Sequence, residues 1–209
     1  FGVGGIHRPG EDVAIRLSVR PEDGDFGAAR NILLQWEVPN ADGDIAEVRR
    51  VVALTAGGSA STWLYATLPP DLQPEQTWTV RGFLYDAEAG DARGAEVGTA
   101  IIQAPATGRV EPGVSVIGRL GSRSMGLDGY RFPSLAGQRS GEVIPAHEDT
   151  LIRPLGVADL PDAWPGLAAY DALVWADEDP AALTARQEEA LRDWITGGGH
   201  LVIVLPFDG

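Results

Sequence analysis

The 209-residue chain contains no cysteine. Disulfides, thiolate metal sites and a cysteine nucleophile are therefore excluded within it. Lysine is absent too, so all 16 basic residues are arginines, and neither Schiff-base chemistry nor a phosphate-loop lysine is available. Positive charge is scarce altogether. Thirty acidic residues against 16 arginines give a formal net charge of -14, which weighs against a surface that tracks nucleic-acid phosphates. No apolar run of about 18 residues occurs, so no membrane-spanning helix is expected. Phe1 in place of an initiator Met is expected of a processed secretory product or a trimmed chain.

What is present is the composition of a globular protein, 44% hydrophobic, with length for one or two domains. The first hundred residues read as short strands. "DVAIRLSVR" (12–20) alternates Val13, Ile15, Leu17 and Val19 against Arg16, Ser18 and Arg20, the period of a half-buried strand. Similar runs occupy 31–39, 45–54, 61–69, 77–86 and 95–103, separated by glycine-rich or acidic turns. That spacing predicts an immunoglobulin-like all-β sandwich over 1–104.

The stretch "APATGRVEPG" (104–113) is rich in Pro, Gly and small residues and reads as a linker, set at 105–112. The rhythm then changes. Strands are expected at "VSVIG" (114–118), "TLIRPL" (150–155), "YDALVWAD" (170–177) and "HLVIVLP" (200–206). A helix precedes the last, with Thr184 and Gln187 as a capping box and Ala190, Leu191, Trp194 and Ile195 as an apolar stripe. Gly197 is expected to end it in the left-handed conformation. Strands alternating with helices predict a doubly wound α/β region over 113–209.

The stretch "YDALVWADEDPAALTARQEEALRDWITGGGHLVIVLP" (170–206) resembles the class I glutamine amidotransferase-like, flavodoxin-like domain, in the noncatalytic form found in bacterial surface proteins. The shared pattern is a "YDALV" strand, an "LTARQEEALRDWI" helix and "GGGHLVIV". The resemblance implies a C-terminal α/β flavodoxin-like segment, here ending after its fourth strand, behind an extracytoplasmic sandwich. Active amidotransferases need a Cys on a strand-to-helix elbow with a later His and Glu. With no Cys, no catalytic residue carries over.

Ligands of parallel sheets sit beyond the carboxyl ends of the strands, which nominates three stretches. In 118–126, Gly118 and Gly121 permit close backbone approach, and Arg119, Ser122, Arg123 and Ser124 offer groups for an anion, although the GxGxxG spacing is lacking. Asp177, Glu178 and Asp179 form a carboxylate run of the kind that holds Mg²⁺ or Ca²⁺, or that simply solvates a strand end. Pro206 to Asp208 is the weakest. His147, Glu148 and Asp149 lack zinc spacing, and His200 falls on the amino side of the sheet. Asn40, Asp42 and Asp44 fail the calcium-loop pattern at Ile45 and Val51, and Asp42 and Gly43 suit a hairpin turn. Trp36, Trp63, Trp78 and Tyr65 could supply aromatic faces for a sugar, although aromatics of this kind more often fill a sandwich core.

The leading expectation is a noncatalytic binding or scaffolding module of an exported bacterial protein, periplasmic or on the cell surface. Its expected partners are proteins or cell-envelope glycans, with no cofactor. Two alternatives stand beside it. One is a metal-assisted hydrolase using Asp177 and Asp179 with the 118–124 loop, and the other is a carbohydrate-binding sandwich. An open edge on the four-stranded sheet would be an association liability, so if the chain ends at Gly209 a second copy or another subunit is expected to close it.

Overall fold

The alternation in 12–20 yields strand β1, Asp12–Val19, whose Val13, Ile15 and Val19 are buried. The structure is a computed structural model that describes residues 1–20, 29–39, 42–56, 58–72, 78–87, 92–105, 107–127 and 150–205. Five more strands follow in the first half: β2 Arg30–Pro39, β3 Ile45–Leu54, β4 Ala60–Thr67, β5 Thr79–Ala87 and β6 Arg93–Gln103. β1 pairs with β4, and the second sheet runs β3-β2-β5-β6, all antiparallel. The two sheets face each other. Val13, Ile15, Leu64 and Ala66 of one meet Ile32, Leu34, Trp36, Val38 and Val80 of the other, which makes a β-sandwich. Trp36 lies so close over Gly82 that a Cβ there would come within 2.1 Å of its ring.

The β1–β4 sheet is apolar on its other side as well. Ala14, Trp63 and Tyr65 join a second core built around a four-stranded parallel sheet, β10-β9-β7-β8, from β7 Ser115–Leu120, β8 Thr150–Leu155, β9 Ala172–Trp175 and β10 His200–Ile203. Val116, Leu120, Leu155, Leu173 and Trp175 supply that core from the sheet, and Leu191 and Trp194 supply it from the helix α1, Ala185–Thr196. The amino-terminal segment is part of the same core. Val3 and Ile6 are buried in it, Tyr170 donates to the Val3 carbonyl at 2.9 Å, and Arg8 donates to Asp171 and to the Val114 carbonyl. The stretch read as a linker is anchored there too, through backbone hydrogen bonds from His7 to Gly108 and from Val110 to His7.

The amidotransferase-like, flavodoxin-like expectation fails. The described residues are mostly strand and contain one α-helix, whereas a doubly wound domain needs helices on both faces of its sheet. The crossover from β8 to β9 runs through 3₁₀ turns, Val157–Asp159 and Trp164–Leu167, and contains no α-helix. The misleading stretch, 170–206, encodes a strand, a helix and a parallel strand. Parallel crossovers commonly use that unit, and it does not specify the layers around it.

The helix has the predicted start. Gln187 N–H donates to Thr184 Oγ1 at 3.3 Å and Thr184 N–H to Gln187 Oε1 at 3.0 Å. Its end is one residue later than expected in conformation. Gly197 has φ -75°, and Gly198 is the residue with positive φ, at 107°. Gly198 N–H bonds to the Ile195 carbonyl and Gly199 N–H to the Trp194 carbonyl, the paired bonds of a Schellman ending.

Candidate functional site

The loop after β7 is packed against a carboxylate of the chain itself, Asp177 from the loop after β9. Ser122 donates its N–H and its hydroxyl to Asp177 at 2.7 Å each, and Arg123 N–H reaches the same carboxylate at 3.3 Å. The Ser122 hydroxyl bond, helped by the two backbone donors and the Arg123 charge, holds the Asp177 carboxyl below the ordinary carboxylate range. Gly121, at φ 115°, permits this approach, since a Cβ would sit 1.9 Å from Asp177 Oδ1. Gly118 is buried inside β7 against Leu173 and Leu155, Arg119 lies on the opposite face of that strand, and Ser124 opens a turn to Leu127.

The carboxylate run after β9 diverges. Asp179 caps the 3₁₀ turn Pro180–Ala182 by accepting from Ala181 N–H at 2.9 Å, and the Glu178 carbonyl accepts from Trp175 Nε1 at 2.8 Å. Among the described residues no group of three or more His, Asp or Glu side chains converges as a metal site. His200 is exposed, near the Asp171 carbonyl. Asp42 and Gly43 lie in the β2–β3 hairpin, with Gly43 at φ 85°. Asn40, His147, Glu148, Asp149 and Pro206 to Asp208 lie outside the described residues.

The four aromatics divide. Trp36 and Trp78 are core residues at 4% exposure, while Trp63 and Tyr65 lie on the junction side of β4. There Arg50 forms a salt bridge with Asp162 and donates to the Trp63 carbonyl at 2.8 Å. The Tyr65 hydroxyl donates to Asp162 Oδ1 at 2.6 Å and accepts from Asp162 N–H at 3.0 Å. Burial alone would raise the Asp162 carboxyl, but hydrogen bonds from Arg50 and Tyr65 and the charges of Arg50 and Arg186 outweigh it, so the group stays ionised well into acid. Burial, then the Asp162 partnership, pushes the Tyr65 hydroxyl far up. Neither group is poised to exchange a proton near neutrality.

Above this pair opens a groove of about 400 Å³, between the sandwich and the start of α1. Arg16, Arg50, Ser61, Thr62 and Trp63 line its sandwich side, and Asp162, Thr184 and Arg186 line the other. Arg16 lies 5.7 Å over the Trp63 ring and donates to the Ala158 carbonyl at 3.3 Å. Arg186 is 74% exposed and 3.9 Å from Asp162. A larger groove of about 670 Å³ between α1 and β10, lined by Leu183, Leu191, Ile195, Leu201 and Ile203, is chiefly apolar.

No family model and no curated protein matches the chain. Among solved structures it is similar to a calcium-binding mutant of Bacteroides uniformis beta-glucuronidase 2, at 13% identity and a TM-score of 0.33, over 95% of this chain. The chain spans 23% of that protein's length. A likeness this weak fixes neither fold nor ligand.

Among the groove residues and the pair beneath them, the sequence marks only Trp63 and Tyr65 for function. Arg50 carried a signal. In "IAEVRRVVAL" the core-facing phase is Ala46, Val48, Arg50, Val52 and Leu54, and an arginine in an apolar phase implies a buried acidic partner. Asp162 and Arg186 carried none, since their meeting with β3 and β4 depends on how the halves pack.

Proposed function

We propose that the chain is a noncatalytic carbohydrate-binding module whose ligand lies in the groove between the β-sandwich and α1. The carrying observation is the convergence there of one aromatic ring, Trp63, with the hydroxyl of Ser61 and the guanidinium groups of Arg16, which overlies that ring, and Arg186. Sugars present an apolar ring face and a rim of hydroxyls, and sites for them pair an aromatic platform with a few placed polar groups. The groove's carboxylate, Asp162, is tied up by Arg50 and Tyr65, which supports binding over hydrolysis. An extracytoplasmic setting, where cell-envelope glycans lie, belongs to this proposal.

The test is binding of the chain to immobilised glycans, beside Trp63→Ala. Loss of the ring is expected to weaken retention about tenfold or more, equivalent to roughly 1.4 kcal/mol. A Trp63→Ala variant that keeps the native circular dichroism spectrum and binds as the parent does would overturn the groove assignment.

A further inference from the structure

Resting on the groove assignment, we infer that the ligand is an acidic saccharide, carboxylated or sulfated, and that Arg186 is the residue that reads its charge. The groove runs against the rest of the molecule. In a chain of net charge -14 it gathers Arg16, Arg50 and Arg186 around one carboxylate, Asp162, with Asp159 3.9 Å from Arg16 at the rim. These five groups divide unequally. Arg50 and the Tyr65 hydroxyl already satisfy Asp162, and Arg50 spends its remaining reach on the Trp63 carbonyl.

Among the described residues, Arg186 is held only by a long ion pair with Asp162. At 3.9 Å from Asp162 it is beyond hydrogen-bond distance, and 74% of its side chain is exposed. Arg16 is half exposed, and its 3.3 Å contact with the Ala158 carbonyl is long, so both guanidinium forks retain donors that face the groove. The first turn of the twelve-residue α1, where Ala185 and Arg186 line the same groove, adds the positive end of a helix. A neutral sugar would leave these donors to water. A carboxylate or sulfate accepts the fork of Arg186 through two oxygens while the sugar sits beside Trp63 and the Arg16 that overlies its ring.

The deciding experiment uses matched probes: oligogalacturonate and its methyl ester, and sulfated and unsulfated galactan oligosaccharides, titrated into the whole chain at low and at physiological salt. The acidic member of a pair is expected to bind about tenfold or more tightly than its neutral counterpart, with the gap narrowing as salt rises. Arg186→Gln is expected to close most of the gap, whereas Trp63→Ala weakens both members together. Equal binding of acidic and neutral members, or a gap that survives Arg186→Gln, overturns the charge reading and leaves the groove as a sugar site. Absence of binding by every probe overturns both.

Discussion

Arg50 and Asp162 stand 112 positions apart in the sequence and form a salt bridge that ties the sandwich to the parallel-sheet half, each largely withdrawn from water at 28% and 17% side-chain exposure. The pair does more than join. It satisfies the only carboxylate in the described lining of the groove, so Arg16 and Arg186 are not needed to neutralise it.

Asp162→Asn should therefore destabilise the chain by about 2 kcal/mol, because Arg50 loses its counter-charge while remaining half-buried. The folded carboxyl titrates below its ordinary value of 3.8. Its contribution is thus present above pH 3.8 and lost as the pH falls through the folded value. Urea midpoints of variant and parent should differ clearly at pH 7 and converge below pH 3.8. Equal midpoints at pH 7 would show the bridge to be dispensable.

A second pH dependence comes from His7, which is 2% exposed with Nδ1 unpaired. Desolvation first, then the charges of Arg109 and the amino terminus, lower its titration from 6.5. The unfolded chain consequently binds a proton more readily than the folded one, so stability is full above pH 6.5 and declines as the pH drops below it. Denaturation curves at pH 8 and pH 5.5 should show the loss, and His7→Gln should flatten it. A parent chain equally stable at both values would contradict this.

Much of the strand pattern was legible. Period-two alternation placed β1 through β6 within a few residues, because each strand has a buried face to satisfy. The four parallel strands were equally marked by short apolar runs, yet the domain around them was misjudged. Helices elsewhere in the second half were implied by the doubly wound expectation, and the described β8–β9 connection runs through 3₁₀ turns instead. The site was less legible still. Trp63 and Tyr65 could be nominated as aromatics, but what distinguishes them from Trp36 and Trp78 is a third layer packed on the outside of β4, and no local pattern encodes it.

Asp177 provides a test of the metal alternative. Its two oxygens already receive the donors of Ser122 and Arg123, and Asp179 is committed to a turn. Divalent ions should accordingly leave the melting temperature unchanged in a series of Mg²⁺, Mn²⁺ and Ca²⁺. Asp177→Ala should loosen the 121–123 loop and speed its cleavage by protease, with or without metal. A melting temperature that rises with an ion, and fails to rise in Asp177→Ala, would restore a metal site.

The three glycines after α1 have separable tasks, which single substitutions can tell apart. Gly197 keeps a right-handed φ of -75° and has no close neighbour other than backbone oxygens at 3.4 and 3.5 Å, so Gly197→Ala should be nearly neutral. Gly198 has open space around it but φ 107°, so Ala there should cost about 1–2 kcal/mol through backbone strain alone. Gly199 is the opposite case, since a Cβ would lie 2.3 Å from the ring of Trp194, itself 5% exposed in the second core. Ala at 199 must push that ring off Leu191 and the sheet, at about 1–3 kcal/mol, with a changed tryptophan near-ultraviolet signal that the 198 variant should lack. Equal losses and identical spectra for the two variants would mean that the Trp194 packing does not depend on Gly199.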